Sequence, residues 1–324
     1  MDYGLWKLRF TLLGTLALVI GASTLFLTIV LLYLGTFDIM TMVVLVVAFN
    51  FIQWLIAPYL VNGMYSVREV PANERPEVHG MLQRISQKAG LKLPKLMLSP
   101  LPVPNAFAYG SPLTGSRVCV TQGLLDTLEP EEVEAVLGHE LGHLRHRDVQ
   151  IMMFVSVLPA IFYFIGYSLM WSGVFYSGRK NNNGGAVAVG MLALLAYFIL
   201  NLLVLGLSRT REYYADRHGA EVVDDGARKL SEALAKLDAY GKRGSSKQGP
   251  SSHMMGFKSL LIVDPDTSGS ASAFARSDSE LVEEVAHRKV TGADRLFELF
   301  STHPNIVKRI RALKALERGG SASQ

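Results

Sequence analysis

His139 and His143 stand four residues apart, with Glu140 directly after the first, in the stretch Gly138-His139-Glu140-Leu141-Gly142-His143. A helix advances about 100° per residue, so these two imidazoles would stack on one face, one turn apart. Two such rings can hold one Zn²⁺ ion at about 2.0–2.1 Å each. Glu140, one residue round the helix, would reach a water on the metal rather than the metal itself, which is the place of a general base in peptide hydrolysis. The plain alternative is a helix that merely carries two histidines. The chain has a single cysteine, Cys119, which excludes an internal disulfide and a Cys-based zinc site and favours histidine and carboxylate ligands.

A catalytic zinc usually takes three protein ligands and keeps a fourth position open. His146 shares the His139 face but lies about 10 Å along the axis from it, too far for one ion. The metzincin arrangement needs Gly at 146 and His at 149, where this chain has His146 and Val149. His218 and His303 stay open as third ligands. Glu212 has the better context, because it stands four residues before Asp216 and the two share a helical face. Glu212 could bind zinc while Asp216 accepts the outer N–H of a ligand histidine and fixes its tautomer. Without a metal, the same pair reads as an exposed acidic face matched to Arg211 and Arg217.

The residues around the histidines carry helix signals. Pro130 suits a first helical position, where its missing N–H costs nothing. Glu131, Glu132 and Glu134 complement the positive end of the helix dipole, and Arg145, His146 and Arg147 the negative end. Upstream, 74–89 reads as a helix, 95–98 and 117–121 as short strands, and Asn105-Ala106-Phe107-Ala108-Tyr109-Gly110 as an edge strand. Downstream, 227–240 reads as an amphipathic helix and 293–316 as a helix broken at Thr302-His303-Pro304-Asn305. Residues 241–252 are rich in Gly, Ser and Lys and are expected to be mobile, and 266–279 has a similar small-residue bias.

Of the 324 residues, 49% are apolar and only 19% charged, against about 25% charged in an average soluble protein. Four nearly uncharged runs account for this: 10–34, 39–61, 149–171 and 186–207. Each is long enough to cross a hydrocarbon core about 30 Å thick at 1.5 Å per residue. The first run follows Lys7 and Arg9 as a signal peptide would, but it is too long for a typical apolar signal region, and an uncleaved hairpin is expected. A buried helical hairpin in a soluble core is the alternative for the last two runs. Lys7, Arg9 and Arg68 flank the outer ends of the first hairpin, and Arg145, Arg147, Arg209 and Arg211 outweigh Arg179 and Lys180 around the second. Both soluble parts are therefore expected on the cytoplasmic face of the cell membrane. A net charge of +4 and the lack of any nucleic-acid motif argue against a nucleic-acid partner and leave the oligomeric state open.

The expected organisation is an N-terminal transmembrane hairpin (1–61), a first catalytic part with the HExxH helix (62–148), a second hairpin (149–207), a second catalytic part (208–318) and a disordered tail (319–324). The expected fold class is α+β, mainly α. Topology bears on the third ligand. If Glu212 and His143 bind one ion, 149–207 must begin and end on the same membrane face, which demands an even number of spans. The apolar pattern yields two.

With these residues in view, the sequence resembles the HtpX branch of the membrane zinc metalloproteases, the group that also includes the CAAX prenyl endoproteases. The resemblance covers most of the chain from the first span to about Leu316. It rests on Asn105-Ala106-Phe107-Ala108, Val120-Thr121-Gln122-Gly123-Leu124-Leu125, the stretch from Glu132 to His143, Ser208-Arg209-Thr210-Arg211-Glu212-Tyr213-Tyr214-Ala215-Asp216 and His303-Pro304. It implies a gluzincin with one zinc per chain on His139, His143 and Glu212, Glu140 as catalytic base and Asp216 behind a ligand. It also implies four spans, a cytoplasmic catalytic domain, and a role in membrane-protein quality control, with membrane proteins or unfolded polypeptides as substrates and the lipid bilayer as partner.

The chemistry expected is zinc-assisted hydrolysis, with Glu140 taking the water proton and passing it to the leaving amine. An extended substrate would pair with Asn105, Ala106, Phe107 and Ala108 backbone to backbone, although an ordinary sheet edge has the same sequence pattern. His303 is the first candidate for stabilising the oxyanion, with a capping or packing role as its alternative. The rival readings are a zinc-binding membrane chaperone or scaffold with little turnover, a CAAX-type prenyl-peptide processing protease, and a transporter.

Overall fold

Apolar runs of membrane length fold as helices, because an α-helix satisfies its backbone groups within itself where no water can. The computed structural model describes residues 39–175, 184–247 and 277–321. In chain order its elements are α1 (Ile39–Met64), β1 (Arg68–Glu69), α2 (Pro76–Lys88), β2 (Lys95–Ser99), β3 (Ala106–Ser111), β4 (Gly115–Thr121), α3 (Gln122–Thr127), α4 (Pro130–Arg145), α5 (Asp148–Phe175), α6 (Gly184–Val222), α7 (Gly226–Lys247), α8 (Asp278–His287), α9 (Gly292–Leu299) and α10 (Ile306–Ser321). The fold is α+β and mainly helical, as the sequence implies. Among the described residues, three helical stretches are long and apolar enough to cross a membrane: Val43–Met64, Asp148–Met170 and Val187–Val222. The remaining expected span, 10–34, lies outside the described residues. So do most of the small-residue stretch 266–279 and residues 322–324 of the tail expected to be disordered from 319, whose first three residues instead continue α10 to Ser321.

The chain divides into two compact units, at 54/55, 149/150 and 206/207. In the first unit α5 faces the apolar part of α6, where the Tyr163 and Tyr197 rings lie 5.1 Å apart. In the second unit a four-stranded sheet has the order β1-β2-β4-β3. β2 and β4 are parallel, and the two outer pairings are antiparallel. β3 pairs with β4 along one side and forms the edge, in register Ala106 with Val120 and Phe107 with Cys119. Helix α4 packs against β3 and β4 of the sheet and against helices α2 and α7. Leu82, Val118, Leu137, Leu141, Leu234 and Ile310 meet there in one buried core. The Cys119 thiol, fully buried in β4, is pushed up to about 12 by burial and then by the charge of Glu140.

The start of α4 is fixed by a capping box in which the Glu129 N–H donates to Glu132 at 2.8 Å, with Pro130 in the first turn. The buried Glu132 carboxylate also takes the Lys236 ammonium at 2.8 Å, which sits 3.1 Å from Asp278. The acidic group Glu132, Glu232 and Asp278 therefore already has its cation, a lysine of α7.

Candidate metal centre

Two helices build the centre by close approach. Gly138 and Gly142 of α4 face Ala215 and Gly219 of α6. A Cβ on Gly142 would lie 2.9 Å from the Ala215 Cα, and one on Gly219 would lie 2.9 Å from the His139 nitrogen. Only hydrogen fits at these positions, so the two backbones touch and the side chains beside the glycines are thrust together. α6 runs unbroken from its apolar part through Leu207 to Val222, which puts Glu212 and Asp216 on one helical face as their spacing implies.

The outcome is a convergence of three donors. His139, His143 and Glu212 each offer a ligand atom, all within 4.8 Å of one another. Nε2 of His139 is 3.8 Å and Nε2 of His143 is 3.5 Å from the Glu212 carboxylate. The rings stand edge to face with centroids 4.8 Å apart. Each ring turns its other nitrogen to an acid: His139 Nδ1 is 2.9 Å from Asp216, and His143 Nδ1 is 2.6 Å from Asp148. A carboxylate this close to Nδ1 favours the proton on that nitrogen, which would leave each Nε2 lone pair free to bind a cation. Three lone-pair donors brought together in a buried place repel unless a cation lies among them. The edge of a tetrahedron built on ligand lengths of roughly 2.0–2.1 Å is about 3.3 Å. The observed 3.5 and 3.8 Å separations fit a metal held by nitrogen and oxygen.

The supporting charges are themselves paired. Arg309, fully buried on α10, donates to Asp216 through Nε at 2.8 Å and Nη2 at 2.6 Å, and its Nη1 is 3.2 Å from Glu212. Burial works against this guanidinium, but Asp216 and Glu212 more than reverse it and hold its pKa above the usual arginine range. Arg211 pairs with the second oxygen of Asp148 at 2.9 Å. His303, in the loop before α10, brings Nδ1 to 3.0 Å from Glu212, while its Nε2 makes no hydrogen bond among the described residues. Burial pulls this imidazole down and the Glu212 carboxylate overrides it, so its pKa stands above the usual histidine range. Arg209 steadies that loop from α6, donating through Nη1 to the carbonyls of Glu298 (2.8 Å), Leu299 (3.2 Å) and Ser301 (2.8 Å).

Comparison with known proteins decides what this arrangement belongs to. Residues 72–317 match Peptidase family M48. A protein named "Protease HtpX homolog" from Aeropyrum pernix is 40% identical over 277 residues, 84% of each chain. Another of that name, from Thermoplasma acidophilum, is 36% identical over 324 residues, 96% of this chain and 97% of the relative.

The chain belongs to peptidase family M48.

It is a membrane metalloprotease of the HtpX type. The crystal structure of Ste24p from S. mikatae covers 96% of this chain and 67% of its own, with a TM-score of 0.57 at 19% identity, so the fold is shared.

Of the residues singled out in this M48 protease from sequence, the structure gathers His139, His143, Glu212, Asp216 and His303. Glu140 is buried beside His139 on α4 and is not one of the three converging donors. His218, open as a third ligand, sits against His146 with ring centroids 6.0 Å apart and does not join them. Asn105 precedes the edge strand; its backbone exchanges hydrogen bonds with Thr121, while Ala106 and Phe107 are buried and Ala108 half-buried within β3. Two supports escaped the sequence reading, Asp148 behind His143 and Arg309 beneath Asp216 and Glu212. A signal for Arg309 did exist, since it falls on the apolar side of the Ile306-Val307-Ile310-Leu313 pattern.

The glycine contact yields a prediction. In Gly142→Ala, a methyl group pressed on the Ala215 backbone must part α4 from α6. A loss of about 1–3 kcal/mol of stability is expected from overpacking. Metal content should fall with it, since the donors sit on the separating helices. Thermal unfolding in detergent together with metal analysis measures both, and wild-type values for each would mean that the contact does not set the centre.

Proposed function

We propose that the protein is a zinc endopeptidase of the cell membrane that cuts misfolded or damaged membrane proteins and unfolded polypeptides on the cytoplasmic side. His139, His143 and Glu212 would hold one zinc. Bound there, zinc supplies Lewis acidity, which lowers the pKa of water toward about 7 and polarises a carbonyl. The observation that carries this reading is the buried meeting of two Nε2 atoms with the Glu212 carboxylate, each ring backed by its own acid.

The remaining roles fall to side chains of this chain. Asp216 and Asp148 keep the Nδ1 protons in place and so orient both rings. Arg309 and Arg211 pair with those acids and fix their places. Glu140 takes a proton from the attacking water on its carboxylate and delivers it to the leaving amine nitrogen. The substrate backbone lies along the outer edge of β3, from Asn105 to Ala108, and adds a strand to the sheet. The Nε2 of His303 donates a hydrogen bond to the carbonyl oxygen as it gains charge.

The test begins with purified protein in detergent and a casein or membrane-protein substrate. Metal analysis should find about one zinc per chain. A chelator should abolish cleavage, and stoichiometric Zn²⁺ should restore it. Cleavage that persists after the metal is removed would end the reading. A prenylated peptide cut in preference to unmodified ones would shift the assignment to the CAAX-type alternative, which uses the same residues.

A further inference from the structure

Helix α9 wears its amphipathicity inside out. Leu296, Phe297, Leu299 and Phe300 are 57, 46, 47 and 57% exposed. At 100° per residue they fall in one arc of about 160°. The opposite side carries Asp294 and Glu298, and these acids are the residues turned inward. Asp294 accepts from the Thr291 N–H at 2.7 Å and caps the helix, while Glu298 accepts from the Asn305 N–H at 3.2 Å and pairs with Lys308. In water such a helix leaves four large apolar side chains side by side on its outer face, which marks a contact surface.

Its place in the chain says which contact. The carbonyls of Glu298 and Leu299 at the end of α9, and that of Ser301, are held by Nη1 of Arg209. Arg209 stands two residues after Leu207, where the apolar run of α6 ends and the first charges appear. An arginine directly after a membrane-length run sits at headgroup level. The apolar end of α9 is tied to that level, and the exposed Lys289 and Arg295 beside it suit anionic headgroups.

We propose that α9 is an interfacial anchor, its Leu296, Phe297, Leu299 and Phe300 face lying in the boundary between lipid headgroups and acyl chains. The loop that follows α9 carries His303, and Arg209 lies three residues before Glu212, about 4.5 Å along the helix axis. The anchor therefore fixes the height of the metal centre at the bilayer surface, so that bonds just outside a substrate's membrane segment are the ones presented. This rests on the membrane-protease reading above, and the experiment keeps the two separable.

Nitroxide labels on Leu296→Cys and Phe300→Cys would be compared with a label on Asp224→Cys, in the full chain reconstituted into liposomes of phosphatidylcholine and phosphatidylglycerol. The native Cys119, fully buried with its thiol pushed up to about 12, does not compete for label. Asp224 lies beyond the end of α6, whose last turn is about 22 Å of helix past Leu207. Relaxation by oxygen relative to a water-soluble nickel chelate should be several-fold higher at 296 and 300 than at 224. An equal ratio would put the face in water and overturn the proposal. Low access to both reagents would mean that protein, whether this chain or a second copy, covers the face, and would overturn it too. The double variant Leu296→Ser with Phe300→Ser should cut a soluble peptide at the wild-type rate and a membrane-anchored substrate several-fold more slowly. Equal rates on the anchored substrate would sever the anchor from catalysis. A wild type inactive on both substrates would instead defeat the metalloprotease reading and leave the depth measurement standing.

Discussion

Glu140→Gln is expected to bind its metal normally and to lose nearly all proteolysis. Gln matches Glu in volume, so it fills the same buried place in α4 without a cavity. It cannot take up a proton at neutral pH. A positioned carboxylate of this kind contributes about 10²- to 10⁴-fold to rate, and a fall in kcat of that size is expected, with KM little changed. Metal content should stay at the wild-type value, because Glu140 is not among the three donors that converge. Thermal stability should not drop, since the change removes a buried charge and leaves no cation stranded, Arg309 keeping both Asp216 and Glu212. Metal-replete protein that still cleaves within a factor of ten of wild type would take the proton-transfer role away from Glu140.

How much of this was legible in the chain depends on distance in sequence. His139 and His143 could be paired because the helical period alone sets them on one face. Glu212 and Asp216 yielded to the same rule, helped by the absence of any Gly or Pro between 207 and 218 that would interrupt a helix. The change of polarity at Ser208 marks a boundary that the two compact units share to within a residue, while α6 itself continues for another four turns, because hydrogen bonding and not polarity decides where a helix stops. The edge strand that the sequence implies at 105–110 corresponds to β3 at Ala106–Ser111, since its alternation is visible locally. What stayed hidden depends on contacts between distant residues. Asp148 looked like the polar start of a span. It reaches back to His143 only because Arg147 adopts φ 55°, a left-handed turn for which the sequence offers no glycine. Arg309 is 93 residues from Asp216, and no pattern read along the chain couples a cation in one helix to an acid in another. The glycines at 138 and 142 were visible as part of the motif, but their use as a contact face needs Ala215 and Gly219 opposite them.

Glu212→Gln should fail in the other way, losing metal and activity together. The substitution keeps the size and one acceptor oxygen of the side chain and removes only its charge. In the resting protein that charge faces His143 Nε2 at 3.5 Å, His139 Nε2 at 3.8 Å, His303 Nδ1 at 3.0 Å and Arg309 Nη1 at 3.2 Å. Replacing a residue that merely supports a ligand costs about 10- to 100-fold in metal affinity, so loss of a ligand carboxylate should cost more than about 100-fold. Zinc should be near absent after purification and recoverable only at high added Zn²⁺. Stability should fall as well, because the fully buried Arg309 loses one of its two acids. Removing one partner of a buried pair costs about 3–5 kcal/mol when nothing replaces it. Here Asp216 still holds the guanidinium through two hydrogen bonds, so the loss should be smaller than that figure. Asp216→Asn makes the contrast that separates ligand from support: it should weaken zinc about 10- to 100-fold, yet regain proteolysis once zinc is supplied in excess. If Glu212→Gln keeps wild-type zinc while Asp216→Asn loses it, the third ligand is Asp216, and the order of the two acids around His139 must be reversed.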